Sequence, residues 1–355
     1  MKLKIDLLKV IGCLLIVVFV SSCESDPIEG NPKESEHGVF ILNQGGWGKN
    51  DASLWNYNPT TGTVSSLISS IADNRLGDLG QDMLIYGSKL YIVVSGSSNI
   101  RVLDVQTKKD VATIPIFDGE KPCEPRYLAA HNGKIYASCW NGSSGIVARV
   151  DTASLLWEAR TSVGSYPEGI AVNNGKLYVA NSGSGYGNTI SVLSIANFKE
   201  LEQISVGTNP NIVRADGNYI YMSYQGISWE GVPGGFQRID VRDNSVITVG
   251  NAPKADFTID NGNIYYYDVT YPSIEVLFGK MRVAADGTKT EGPLFTDAVS
   301  IINPYGIAVH PETGAIYIAD ADDNANQGSV FVFNSQGKKI DEFRAGINPC
   351  KVAFY

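Results

Sequence analysis

Histidine is nearly missing from this chain: three in 355 residues. Two of them, His131 and His310, fall in short Gly- or Pro-containing turns, "HNGK" and "HPETG". That leaves no evident histidine base for acid–base or nucleophilic catalysis. Other catalytic signatures are absent too: there is no G-x-S-x-G elbow, no H-E-x-x-H and no phosphate loop. Positive charge is in deficit, with 28 Lys and Arg against 37 Asp and Glu and a formal net charge of −9. A general nucleic-acid or anionic-membrane surface is therefore not expected, although an anion could be held locally. Long helical patterns are scarce, whereas glycine (37) and aromatics (10%) are plentiful, which leans to an all-β fold. Three cysteines lie beyond residue 23, Cys123, Cys139 and Cys350. Three cannot all pair within one chain; Cys123 and Cys139 share one repeat and either bridge or stay buried thiols.

The first residues read as a targeting segment. Lys2, Lys4 and Lys9 precede an apolar run, Val10 to Val20, that is short for a bilayer span. Val20-Ser21-Ser22-Cys23 then resembles a bacterial lipobox, with Cys23 as the lipidated mature N-terminus. This divides the chain into a signal peptide at 1–22, a tether at 23–37 and a folded part at 38–355. The tether, "ESDPIEGNPKESEHG" after Cys23, is acidic and lacks apolar periodicity. Acidic residues directly after such a cysteine resemble the surface-export signal of Bacteroidetes lipoproteins. The expected location is the outer membrane, lipid-anchored and facing outward, with the anchor as the only membrane contact.

What the folded part has in abundance is repetition. An aliphatic–aromatic pair recurs as Val39-Phe40, Leu90-Tyr91, Ile135-Tyr136, Leu177-Tyr178, Ile220-Tyr221, Ile264-Tyr265 and Ile316-Tyr317. The aromatics are spaced by 51, 45, 42, 43, 44 and 52 residues. Most copies follow a Gly-containing turn such as "NGK", and an apolar run precedes the turn. Two strands around Asn-Gly form a hairpin, because tight hairpin turns need positive φ. A third strand ("NIRVLDV", "TISVLSI") and a less regular fourth follow. Four short strands per repeat define a β-propeller blade. The terminal "NPCKVAFY" supplies a first strand alone, and Val39 begins with a second strand. The expected fold is a seven-bladed all-β propeller whose C-terminal strand completes the first blade and leaves no open edge.

Blade topology puts the loops after each second strand, and the links between blades, on one face. Those segments hold Trp47, Trp140, Tyr166, Tyr186, Tyr224, Trp229, Tyr271 and Tyr305, with Asn43, Gln44, Asn181 and Asp320 beside them. Aromatics provide apolar area at low entropy cost and amides fix orientation, so these twelve are the candidate ligand-binding residues. Any one of the aromatics could instead pack between blades. The loop "ADADDNANQG" offers hard oxygen ligands, but its spacing does not fit an EF-hand, and no metal is assigned.

The phrase "GIAVNNGKLYVANSGSG…TISVLSI" resembles the YncE/NHL-like propellers, over Val39 to Tyr355. With the lipobox and the acidic tether, the chain resembles the surface propeller lipoproteins of Bacteroidetes that include the cobalamin-binding BtuG family. That resemblance implies capture of a corrinoid and its transfer to a TonB-dependent, BtuB-like outer-membrane transporter. Cobalamin would be cargo, not cofactor, and no cofactor or enzymatic activity is expected. Two other classes stay open. One is a propeller enzyme of lactonase, hydrolase or lyase type, with Asp320 and Asn181 as seeds of a metal site. The other is an adhesion or protein-binding propeller.

Overall fold

A computed structural model describes residues 38–68, 71–250, 255–270, 275–296 and 299–355. The signal segment, Cys23, the tether and Tyr271 lie outside the described residues. Seven four-stranded antiparallel sheets form the fold, each built as a meander from the inside outward. Blade 1 comprises Pro349–Phe354, Val39–Asn43, Ser53–Asn58 and Thr63–Ser66. Blades 2 to 7 begin with inner strands Gly80–Tyr86, Glu124–His131, Pro167–Asn173, Pro210–Asp216, Asp256–Asp260 and Pro304–Val309. Each inner strand neighbours the next around a closed ring.

Closure follows the expected route. Val39 pairs with Phe354 and Ile41 with Val352, so the last strand of the chain is the first strand of blade 1. Gly38 and Tyr355 exchange backbone hydrogen bonds at 3.0 Å and finish the seam. The recurring aromatics Phe40, Tyr91, Tyr136, Tyr178, Tyr221, Tyr265 and Tyr317 all lie buried in second strands. Alternate residues serve opposite neighbours, as a pleated strand demands. Phe40 and Leu42 pack toward Leu90 and Ile92 of blade 2, while Val39 and Ile41 pack toward Val330 and Val332 of blade 7. The core thus lies between blades, and no blade has one of its own.

The hairpin turns adopt the geometry that their residues favour. Asn132-Gly133, Asn174-Gly175 and Asn261-Gly262 all have positive φ at both positions, as a two-residue turn matched to strand twist requires. His310 lies in the corresponding turn of blade 7, where its Nδ1 accepts the backbone N–H groups of Glu312 and Thr313. The sequence pattern misses a small ribbon between blades 2 and 3, Phe117–Asp118 paired with Lys121–Pro122. Two-residue strands carry no periodicity by which to read them.

Candidate functional site

The face bearing the second-to-third loops is organised by one repeated contact. In five blades the residue after the second strand donates its backbone N–H to the carbonyl just ahead of the same blade's inner strand. The pairs are Gln44 to Asn348, Ser95 to Leu79, Ser182 to Tyr166, Gln225 to Asn209 and Ala321 to Asn303, at 2.8 to 3.1 Å. Asn43, Asn181 and Asp320 are the last residues of their second strands, and all are buried. Asn43 accepts the Gly346 N–H at 2.8 Å. Asn181 donates to Thr189 and Ser191 hydroxyls at 2.9 Å. Asp320 accepts the backbone N–H groups of Ile302, Asn303 and Asp322. All three hold the loop frame together, turned inward from the open face. Tyr224 is also built in, because a Cβ on Gly207 or Gly235 would fall 2.3 or 2.2 Å from its side chain.

Around the channel mouth, side chains from successive blades form a hydrogen-bonded arc. The Tyr305 hydroxyl of blade 7 donates to Gln44 of blade 1 at 2.9 Å. Gln44 donates to Gln81 of blade 2 at 3.4 Å, and Gln81 to the Tyr127 hydroxyl of blade 3 at 3.5 Å. Burial pushes the Tyr127 phenol up to about 12, so it stays neutral and can both donate and accept. The arc continues from blade 3 into blade 4. Arg126 Nε donates to Glu168 Oε2 at 3.1 Å, and its guanidinium stacks 4.2 Å from the Trp140 ring centroid. Trp140 meets Tyr166 edge-on at 5.3 Å and donates its indole N–H to the Pro167 carbonyl.

Charged side chains also link the inner strands to one another. Asp82, Tyr127, Gly169, Ile212, Asp256, Gly306 and Lys351 occupy one register position, two residues ahead of the partner of each recurring aromatic. Lys351 of blade 1 reaches Asp256 of blade 6 at 3.4 Å, past Gly306 of blade 7. Any side chain at Gly306 would start 2.2 Å from the Cys350 carbonyl oxygen, so glycine lets the inner strands of blades 7 and 1 approach closely. Arg214 lies 3.7 Å from the other Asp256 oxygen. Burial opposes the Lys351 charge, but Asp256, Tyr127 and Asp82 outweigh it and hold the ammonium above its usual range. Burial likewise raises the Asp82 carboxyl, against the pull of Lys351 and the Leu128 N–H. Glu168 is raised by burial too, with Arg126 opposing.

The remaining aromatic candidates stand at the periphery. Trp47, Tyr186 and Trp229 are 84%, 61% and 74% exposed. Tyr186 donates to Glu230 at 3.3 Å, linking the loops of blades 4 and 5. The structure therefore brings Gln44, Trp140, Tyr166 and Tyr305 together at the mouth and leaves Trp47, Tyr186 and Trp229 on the rim. Sequence reasoning did not single out Arg126, Gln81 or Lys351. A signal existed: the residue after the lead-in proline is Arg126 in one repeat and Glu168 in the next, opposite charges at matching positions. Two clefts are lined by other residues. One of about 460 Å³ is lined by Arg75, Ser97, Asn99 and Arg101, and one of about 760 Å³ by Tyr266, Leu277 and Phe278. Cys123, Cys139 and Cys350 are buried free thiols, so the alternative of a Cys123–Cys139 bridge is not realised. Among the described residues, no group of three His, Cys, Asp or Glu gathers as a metal site.

Solved structures share this architecture at low identity. A protein from Bacteroides fragilis, named as a candidate 6-phosphogluconolactonase, is 14% identical, with 92% of this chain and 100% of that one covered and a TM-score of 0.64. A hypothetical selenium-binding protein from Sulfolobus tokodaii is 12% identical, covering 90% and 93%, with a TM-score of 0.69. Kuenenia stuttgartiensis hydrazine synthase is 18% identical over 72% of this chain and 76% of that one, with a TM-score of 0.59. These likenesses establish the propeller and nothing of its chemistry. No curated protein matches the chain. A family model matches residues 37–348, all of the ring but its closing strand, and the chain accordingly belongs to the family described as domain of unknown function DUF5074.

Proposed function

We propose that this protein is a surface-anchored binding lipoprotein that captures a corrinoid over the channel mouth and passes it to a TonB-dependent transporter. The observation that carries this reading is the mouth itself. Tyr305, Gln44, Gln81 and Tyr127 form a polar arc across four blades, and Trp47, Tyr186 and Trp229 stand exposed around it. A wide ligand with an amide-bearing periphery suits such a surface, because amides and phenols exchange hydrogen bonds while the rings cover apolar area. Lys351, Asp256 and Arg214 link inner strands of three blades, which favours a ligand resting over the face. The test is calorimetric titration of residues 24–355 with cyanocobalamin. Binding at micromolar concentration or tighter is expected, and no heat there rejects the reading. Anchoring is tested separately: Cys23→Ala should move the protein from the membrane fraction to the soluble fraction without changing affinity.

A hydrolytic reading rests on the place of Asp82, at the same register position as Lys351 and holding the Leu128 N–H at 2.9 Å, where burial raises its carboxyl. It would make Asp82 a general acid. A lactone and ester screen with wild type and Asp82→Asn tests it, and turnover abolished by the substitution would favour it.

A further inference from the structure

We infer that Arg126, Trp140 and Tyr166 form the anchoring corner of the mouth: Arg126 takes an oxyanion of the ligand, phosphate or carboxylate, and the two rings take the body attached to it. This deepens the binding reading above and rests on it. The first observation concerns Tyr166. It lies just ahead of an inner strand with φ of 47°, a left-handed conformation that bulky residues adopt rarely. Blades 1 and 5 fill the same place with Asn348 and Asn209, at φ of 53° and 62°. Asparagine tolerates that backbone, and both amides donate to the neighbouring loop, to the carbonyls of Gly45 and Gly226. Leu79 fills the place in blade 2, so asparagine is not obligatory. What sets Tyr166 apart is its ring, which lies edge-on to Trp140 at the mouth. Strain held at a bulky residue whose side chain sits at a binding face points to a use for that side chain.

The second observation is independent. Glu168 is 6% exposed, and its hydrogen-bond partner is Arg126 Nε. That bond and the stack on Trp140 fix the guanidinium from two sides. Its terminal nitrogens make no hydrogen bond to protein among the described residues, which leaves a preorganised fork of N–H donors. The fork belongs to the mouth, since the Trp140 ring on which the guanidinium stacks meets Tyr166 edge-on there. A planar fork suits the paired oxygens of a phosphate or carboxylate.

Two variants test the corner. Tyr166→Asn installs the residue that blades 1 and 5 use at this backbone position. It should melt at the same temperature as wild type or higher, yet bind cyanocobalamin about tenfold more weakly. Arg126→Gln combined with Glu168→Gln removes the fork without stranding a buried charge. Wild type should prefer cyanocobalamin, which carries a phosphodiester, over dicyanocobinamide, which lacks it, by about tenfold or more. The double variant should bind the two alike. A preference unchanged in the double variant, or Tyr166→Asn binding as tightly as wild type, overturns the corner. If neither corrinoid binds wild type, the corrinoid reading fails and the corner is judged on fragments. Millimolar phenyl phosphate and benzoate should then shift the Trp140 indole N–H resonance in wild type and not in the double variant. The more effective of the two identifies the anion, and no shift with either overturns the corner by itself.

Discussion

Asp320 shows what a polar residue at the end of a second strand does here. It is 4% exposed and accepts three backbone N–H groups from two loops. Asp320→Ala leaves those donors without their acceptor, and urea denaturation should show a loss of about 3 kcal/mol, with ligand affinity unchanged in the protein that remains folded. Composition does not reveal this, because an Asp or Asn beside a Gly-rich loop looks the same whether it faces a ligand or its own backbone. Asn43 and Asn181 share that ambiguity, and only the fold directs them inward. Asp82 and Glu168 make a second prediction. Burial raises both carboxyls in the folded state. The folded protein therefore holds their protons more tightly than the unfolded chain does. Their contribution is complete below the unfolded carboxyl pKa, about 4, and is lost as pH rises through the raised folded values. Asp82→Asn removes one such group, so its stability should fall less than that of wild type as pH rises from about 4 toward neutrality. Parallel curves for the two proteins would contradict the burial of Asp82 as the cause.

At the scale of strands and blades, most of the fold was legible because the repeat is written in local terms. Each aliphatic–aromatic pair marks a second strand, and the Asn-Gly pairs at 132–133, 174–175 and 261–262 mark the turn before it. The inner strands were harder to read in register. Six of the seven are irregular near the start of the inner strand, five of them at a leading proline (Pro125, Pro167, Pro210, Pro304 and Pro349) and one at Gly80. Proline cannot donate to the ladder there, so the chain shifts before regular pairing resumes. Because the strands of Asp82 and Lys351 shift and that of Asp256 does not, the three were not seen as one layer from spacing alone. The closing strand makes the element-scale prediction. Pro349–Phe354 pairs with Val39–Asn43 and fills the gap between blades 7 and 2. Deleting residues 349–355 removes a handful of backbone hydrogen bonds worth about 1 kcal/mol each and bares an edge with five buried residues in a row. Light scattering should detect aggregation of the shortened chain, and a soluble monomer of wild-type melting temperature would show that the seam is dispensable.

For the whole molecule, the decisive fact is that every hydrophobic cluster is shared between blades. Tyr91 and Val93 of blade 2 pack with Ile135 and Cys139 of blade 3, and Tyr178 and Ile190 of blade 4 with Ile220 and Met222 of blade 5. A single blade of some 40 to 50 residues is too small to bury a sufficient core alone. Loss of one blade therefore exposes faces of two others and breaks the ring, so the described ring should unfold in one cooperative step. Fluorescence of the tryptophans on blades 1, 3 and 5 and far-ultraviolet dichroism should give coincident urea transitions. The mouth draws on several blades at once, with Tyr305, Gln44, Gln81 and Tyr127 each from a different one. A ligand that bridges them binds the closed ring and not the unfolded chain. Linkage then requires cyanocobalamin at a hundredfold excess over its Kd to stabilise the whole ring by about 2.7 kcal/mol. The urea midpoint should rise by that free energy divided by the slope while the slope stays constant, because the surface exposed on unfolding is unchanged. A ligand bound to one loop alone could instead stabilise that loop and split the transition. Two separated transitions in the presence of cyanocobalamin would therefore place the ligand on a local segment and remove the arc from the binding site.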